Sequence, residues 1–87
     1  GTTVPLGSIV ATSGALELPH AELGRALARH MACDWTDMDA EDRSANQASL
    51  ADGSRVFGAF KLKSGAKVWI ITEADRSTTT ILLPDEY

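Results

Sequence analysis

Hydrophobic and polar positions alternate in short blocks along this chain, and the first blocks predict a strand followed by a helix. The segment SIVAT, residues 8–12, is short and β-branched, as strands are. After a connector that ends at Pro19, the segment PHAELGRALARHMA places Leu23, Leu27 and Met31 at helical spacing. This stripe predicts an amphipathic helix with one apolar side.

A second helix is predicted from its end signals more than from its apolar residues. Asp39 can cap a helix that begins near Ala40, because its carboxylate can accept hydrogen bonds from the free N–H groups of the first turn. Gly53 suits the left-handed position that follows a helix. The apolar positions between these ends are few, so we expect this helix to lie on the surface. These positions are Ala45, Ala48 and Leu50.

The last third of the chain has the period-two pattern of three antiparallel strands. SRVFGAFKLK and AKVWIITE flank a three-residue loop at 63–65, where Gly65 suits the left-handed conformation that such hairpins prefer. In this register Phe60 faces Val68. A four-residue loop at 74–77 then leads into TTTILL, so residues 67–73 are expected to form the middle strand.

The predicted register divides the sheet into two unequal faces. One face is apolar and should pack beneath the helices. The other face has an apolar centre and a polar rim, and a chain of this length offers no third layer to cover it. We therefore predict that this face binds a protein partner or a second copy of the chain. Its residues are Phe57, Trp69, Ile71, Leu82, Arg55 and Glu73.

Together these elements predict a single α+β domain over residues 8–87. It should contain a short N-terminal strand, two helices, and then a three-stranded antiparallel meander with the helices on one face. The N-terminal strand should add to an edge of the sheet. Residues 1–7 are expected to form a flexible N-terminus. At 87 residues the chain is long enough for one thin core.

The charge balance and the cysteine content argue against several functional classes. Twelve acidic and eight basic residues give a net charge of −4 with no Lys/Arg run, which disfavours direct nucleic-acid binding. No segment reaches the roughly 20 apolar residues that a membrane helix needs. Cys33 is the single cysteine, so the chain forms no internal disulfide. With no visible signal peptide, we expect a reducing, cytoplasmic location.

No metal and no cofactor is predicted. His30 and Cys33 would share a helical face if the helix extends that far, as a nucleophilic pair or half of a metal site, but no second ligand pair has zinc spacing. The acidic segment DWTDMDAED lacks the spacing of a calcium loop, and no glycine-rich phosphate motif is present. The structural interpretations are a helix-capping His30, a buried Cys33 and a charged helix N-terminus.

One row of polar side chains could carry chemistry. Arg55, Glu73 and Thr78 are expected side by side across three strands, about 5 Å apart. They lie on the face with the apolar centre and polar rim, which we call the outer face. With Arg76 and His30 this row would make a metal-independent ribonuclease site, in which Glu73 deprotonates the nucleophile and arginine stabilises the phosphorane-like charge. The alternative interpretation is an ordinary surface ion pair beside a hydroxyl group.

The closing segment WIITEADRSTTTILLPDEY, together with GSIVATSGALE, LARHMACDW and RVFGAFKLKSGAKVWI, resembles a family of small bacterial plasmid- and prophage-related proteins. The resemblance spans residues 7–87. It implies a setting on mobile DNA and a cytoplasmic location, and it transfers no catalytic residue. The order of elements, helices before an antiparallel meander, is also similar to that of the RelE/barnase-like ribonucleases, but this chain lacks the basic charge typical of such toxins.

Two functional hypotheses remain open from the sequence. The leading one is a small non-enzymatic accessory protein of a mobile genetic element. It would act by protein–protein contact through the outer face, on a host defence or DNA-handling protein or on itself as a homodimer. The alternative is a RelE/barnase-like, metal-independent ribonuclease of the toxin type.

Overall fold

The computed structural model describes residues 3–87, which form a four-stranded mixed sheet with helices on one face. The predicted α+β class is confirmed. The structure adds a one-turn helix and a closing 3-10 turn that the sequence did not predict. In chain order the elements are β1 (Ser8–Ala11), α1 (Ser13–Leu16), α2 (His20–Met31), α3 (Ala40–Asp52), β2 (Val56–Lys61), β3 (Lys67–Thr72), β4 (Thr78–Leu82) and a 3-10 turn (Pro84–Glu86).

The strands lie in the order β1-β4-β3-β2, so the predicted meander has β3 between its two neighbours. The predicted pairing of Phe60 with Val68 is confirmed, and Gly65 has the left-handed φ of 97° that its loop requires. β1 adds to the edge of the sheet, as expected. It pairs with β4 in parallel, which makes the sheet mixed and corrects the purely antiparallel description.

Both predicted α-helices form, but their buried positions differ from the expected ones. On α2 the core-facing side chains include Leu23, Ala26 and His30, whereas Met31 is 42% exposed. The core-facing stripe therefore runs through i, i+3 and i+7 from Leu23 instead of through Met31. On α3 the expected end signals hold, because the Asp39 carboxylate accepts the N–H of Asp42 at 2.8 Å.

The core lies between α2 and the inner face of the sheet, and the N-terminal segment contributes to it. Val4 is 1% exposed, and its N–H donates to the carbonyl of Met31 at 2.9 Å. The flexibility of residues 1–7 stays a prediction, while the side chain of Val4 within this segment fills core volume. Residues 1 and 2 lie outside the described residues. The largest fully buried apolar side chains of the core are Trp35, Phe60 and Ile70, followed by Val4, Val56 and Val68.

The outer edge of β2 is covered by polar and sulfur-containing side chains from the segment before it. The N–H groups of Phe57, Ala59 and Lys61 point away from β3. They donate respectively to Asn46 Oδ1 at 3.0 Å, Met38 Sδ at 3.4 Å and Asp37 Oδ2 at 2.9 Å. Every outward N–H of this strand is thus satisfied, which protects the edge against pairing with another chain.

Asn46 also explains how α3 is attached to the sheet. Its Nδ2 donates to the Phe57 carbonyl at 2.7 Å, so one amide satisfies both backbone groups of one edge residue. Asn46 is the buried residue of α3, whereas Ala45 and Ala48 are exposed. The expected apolar face of α3 is therefore wrong at Ala45 and Ala48, whereas Leu50 packs against the core as expected, and the polar side chain of Asn46 completes the attachment.

Candidate functional site

The sheet register places the predicted interaction residues on the face opposite α2. Cross-strand partners share a face, so Phe57 and Ile71 lie in one row, which continues through Thr80 to Val10 on β1. The adjacent row contains Trp69. We call this surface the aromatic face; it consists of Phe57, Trp69, Ile71, Leu82, Arg55, Glu73 and Tyr87.

The aromatic face is partly covered by the end of the chain. Residues 83–87, which we call the C-terminal strap, turn back across β3. Ile71 and Leu82 are only 3% and 5% exposed, while Phe57 and Trp69 are half-buried. The expectation that no layer covers this face is therefore wrong at its centre, because five residues of non-periodic sequence fold over it.

Glu86 holds the strap in place with hydrogen bonds to the other end of the fold. Its carboxylate accepts from Thr12 Oγ1 at 2.5 Å and from the N–H of Gly14 at 3.1 Å, and it also accepts the N–H of Leu83 at 3.0 Å. These bonds, that of Thr12 first, hold the pKa of Glu86 below its ordinary value. The strap is therefore held most firmly when Glu86 is ionised.

Three aromatic rings form the exposed part of this surface. The ring centroids of Phe57 and Trp69 are 4.8 Å apart, and Tyr87 lies 5.6 Å from Trp69 and 6.5 Å from Phe57. All three pairs meet edge to face, a favourable geometry for aromatic contacts. Tyr87 is 70% exposed, so the cluster presents aromatic surface to solvent at the side where Arg55 approaches it.

The structure brings together two of the five candidate catalytic residues as a direct pair. Arg55 Nε lies 3.3 Å from Glu73 Oε1, and a second guanidinium nitrogen donates to the Tyr87 hydroxyl at 3.4 Å. The contact with Tyr87, followed by the charge of Glu73, raises the pKa of Arg55. Both members of the Arg55–Glu73 pair are more than 40% exposed, so it has the character of a surface ion pair worth about 0–1 kcal/mol. Thr78 starts the neighbouring strand, and its carbonyl accepts the N–H of Glu73 at 2.9 Å.

Arg76 is turned away from this row and stabilises the end of α3. Its guanidinium donates to the carbonyls of Ser54 at 2.6 Å, Ser49 at 3.1 Å and Glu73 at 3.2 Å. The carbonyls of Ser49 and Ser54 lie in and just beyond the last turn of α3, where an arginine complements the negative end of the helix dipole, and that of Glu73 lies in the β3–β4 connection. A guanidinium committed to three carbonyls is poorly placed to stabilise charge on a substrate.

His30 lies on the other side of the sheet, beneath the helices. It is 0% exposed; its Nε2 lies 3.0 Å from Thr72 Oγ1, and Trp35 donates to its Nδ1 at 3.3 Å. The ring also lies against Gly58, where an added Cβ would come within 2.5 Å of Nδ1. Burial lowers the pKa of His30 to about 4, so the imidazole is neutral near pH 7. It is separated by the sheet from the Arg55–Glu73 pair.

The fold brings together in one cleft four basic side chains that lie apart along the sequence. Arg25 and Arg29 on α2 line one cleft together with Lys61 at the end of β2, Lys63 and Glu22. The guanidinium of Arg29 is ion-paired with Asp34 at 3.1 Å and with Asp37 at 2.9 Å. These four cations are half of the basic residues in the chain. The spacing of the two arginines, i and i+4 on one helix, was the only local signal, because the lysines join them only through the fold.

The remaining candidates form no reactive group. Burial raises the pKa of the Cys33 thiol, which opposes formation of a thiolate. Among residues 3–87, no cluster of three or more His, Cys, Asp or Glu side chains is arranged to hold a metal ion. In the same residues, no helix has the length and apolar character to cross a membrane.

A scan of protein-family models, a search of curated proteins and a search of solved structures each gave no match to this chain.

Proposed function

We propose that this protein is a non-enzymatic binding module that recognises a protein partner through the aromatic face. The observation that carries the proposal is the cluster of Phe57, Trp69 and Tyr87 beside Arg55. Tryptophan, tyrosine and arginine are the residues that most often dominate the energy of protein–protein binding. Phe57 and Trp69 lie on two adjacent paired strands and contact each other and Tyr87, so a partner would meet side chains that are already packed together.

Two lysines at one end of this face indicate the chemistry of the partner. Lys61 and Lys67 are directly opposite each other in the β2–β3 register, and like charges in that position destabilise a sheet. Neither ammonium group has an ion-pair partner among the described residues. A shallow cleft beside Trp69 is lined by both lysines and by Asp37, whose carboxylate is ion-paired with Arg29 at 2.9 Å. We infer a partner segment with an apolar side chain next to a carboxylate.

The resemblance to plasmid- and prophage-related proteins supplies the biological setting of the proposal. In that setting the partner would be a host defence or DNA-handling protein in the cytoplasm. The ribonuclease hypothesis finds less support. His30 is buried on the opposite side of the sheet and Arg76 is committed to the end of α3. The Arg55–Glu73 pair alone lacks the second proton-transfer group that cleavage of RNA requires.

The test compares matched bait proteins in host lysate and then measures binding directly. We expect a partner that is retained by the native chain, lost with Trp69→Ala or Lys67→Glu, and kept with Leu16→Ala, which removes an exposed apolar side chain elsewhere. Calorimetric titration of the purified partner should reproduce this order. The proposal fails if no captured protein depends on Trp69. It also fails if the purified chain cleaves RNA and Glu73→Ala abolishes that cleavage.

A further inference from the structure

The two edge strands of the sheet, β1 and β2, differ in whether their outward backbone groups are hydrogen-bonded. The outward N–H groups of β2 are all bonded to side chains, as described above. The N–H groups of Ser8 and of Thr12, which follows β1, donate to the carbonyls of Ser77 and Ile81 at 2.9 and 3.0 Å, so β1 bonds along β4 through alternate residues. The backbone groups of Ile9 and Ala11 therefore point outward, and they have no hydrogen-bond partner among residues 3–87.

β1 is also apolar and uncharged. Ile9 is 50% and Val10 is 47% exposed, and residues 3–16 contain no charged side chain. Natural edge strands are usually blocked by charge, proline or a covering segment. β1 has none of these among the described residues. In a chain whose net charge is −4, this is a stretch where two copies can meet without bringing like charges together.

We propose that β1 pairs with β1 of a second copy of this chain, antiparallel across a two-fold axis. With the axis at Val10, Ile9 of one copy faces Ala11 of the other, and the four outward groups of each strand form four hydrogen bonds between the copies. The two Val10 side chains then face each other as a non-hydrogen-bonded pair, about 5 Å apart. On the other face each large Ile9 packs beside a small Ala11, so the pairing is self-complementary.

The axis of such a dimer is perpendicular to the sheet, so it keeps equivalent faces on the same side. The product is a continuous eight-stranded sheet in which both aromatic faces look in one direction. This assembly goes beyond the proposed function and does not depend on it. It would present two copies of the binding surface side by side to a repeated or dimeric partner.

Equilibrium sedimentation of the native chain tests the proposal. Four interstrand hydrogen bonds make a small interface, so we expect a weak dimer. The mass should rise from 9.2 kDa towards twice that value as the concentration approaches about 1 mM. Val10→Lys places two ammonium groups opposite each other and should raise the dissociation constant at least about tenfold. Met31→Lys, an equal change at an exposed α2 side chain, should leave it unchanged.

The register has its own test, which also serves if Val10→Lys does not fold. In a Cys33→Ser background, Val10→Cys should form a symmetric disulfide-linked dimer with oxidised glutathione, because paired Cβ atoms are close enough to bridge. Ile9→Cys should not, because the two copies of residue 9 are diagonal to each other. A chain that stays monomeric at all concentrations, a dimer indifferent to Val10→Lys, or crosslinking through residue 9 instead of 10 would overturn the proposal.

Discussion

The indole N–H of Trp35 lies 3.3 Å from Nδ1 of His30, and this contact decides which imidazole nitrogen carries the proton. An indole can only donate, so Nδ1 accepts and Nε2 is protonated. Nε2 therefore donates to Thr72 Oγ1 at 3.0 Å. The single hydroxyl hydrogen of Thr79 is donated to the carbonyl of Leu6 at 2.7 Å. In the 2.8 Å bond between the two threonines, Thr72 is therefore the donor and Thr79 the acceptor. All four bonds point the same way through the buried core.

The first prediction concerns pH. The pKa of His30 is about 4 in the folded protein and 6.5 in a solvated chain, so between these values the unfolded state binds the proton first. The free energy of unfolding should be insensitive to this group above pH 6.5. It should then fall by about 3 kcal/mol as the pH drops to 4. Urea unfolding measured between pH 6.5 and 4 should show this decrease in the free energy of unfolding for the native chain and not for His30→Gln, which cannot titrate.

Nuclear magnetic resonance provides an independent check of the same prediction. The nitrogen shifts of His30 should show a neutral imidazole protonated at Nε2 until the pH approaches 4. His20→Gln removes the other set of imidazole signals and so assigns the remaining set. A midpoint near 6.5 for His30 would contradict the account, as would a proton on Nδ1.

The second prediction uses two neighbouring threonines on opposite faces of β4. Thr79→Val leaves the Leu6 carbonyl without its donor and the Thr72 hydroxyl without its acceptor, both in the core. We expect a loss of about 1–3 kcal/mol in the free energy of unfolding. Thr80→Val makes the same chemical change on the aromatic face and should stay within about 0.5 kcal/mol of the native chain. Equal effects would show that the directed chain of bonds contributes nothing to stability.

The third prediction concerns the protected edge of β2. Asn46→Ala removes both hydrogen bonds to the backbone of Phe57 and should lower the free energy of unfolding by about 1–3 kcal/mol. Because the edge of β2 is then open at Phe57, the variant should also aggregate more during thermal unfolding, which light scattering detects. Gln47→Ala, one residue along the same helix and exposed, is the control. Protection of the Phe57 amide from hydrogen exchange should fall only in the first variant.

The fourth prediction concerns the C-terminal strap. Glu86→Gln keeps the shape of the side chain but replaces the carboxylate that accepts hydrogen bonds from Thr12 and Gly14 with a neutral amide. These bonds are then weaker, so the strap should detach more often. Amide exchange at Leu83 should accelerate and tryptophan emission should shift to the red as Trp69 gains exposure. Asp85→Asn changes the same charge at an exposed neighbour and should have neither effect.

The pH dependence of the strap has a sign opposite to that of a group with a raised pKa. Because the pKa of Glu86 is lowered by folding, its contribution is present above the ordinary carboxyl value. That contribution to holding the strap is lost as the pH falls through the lowered pKa of Glu86. In the native chain the emission of Trp69 should therefore shift to the red on acidification. A shift that Glu86→Gln leaves intact would assign the transition to another group.

The strands and their register could be predicted from the sequence because local rules determine them. Alternating apolar residues and Gly65 leave one way to pair Phe60 with Val68, since a slip by one residue would turn every core side chain outward. The helix ends were predictable for the same reason. Asp39 and Gly53 act within one turn of the residues that they cap.

The candidate site was less predictable because its contacts join distant parts of the chain through polar groups. Glu86 reaches Thr12, and Asn46 reaches Phe57, without any periodic signal in the sequence. His30 had one signal, its position seven residues after Leu23 on the core-facing stripe. A histidine there reads as a surface residue unless its buried partners, such as Thr72, are known.

The absent side chain at Gly58 ties the sheet to α2 in a way that shapes how the sequence can diverge. An added Cβ would meet both Nδ1 of His30 at 2.5 Å and the ring of Phe60 at 2.6 Å. The imidazole cannot retreat, because both of its nitrogens are already bonded. The side chain of residue 30 therefore occupies the volume that a side chain at position 58 would need. In divergent descendants of this chain, a bulkier residue at 58 should arrive only together with a smaller one at 30 and a shifted or smaller ring at 60.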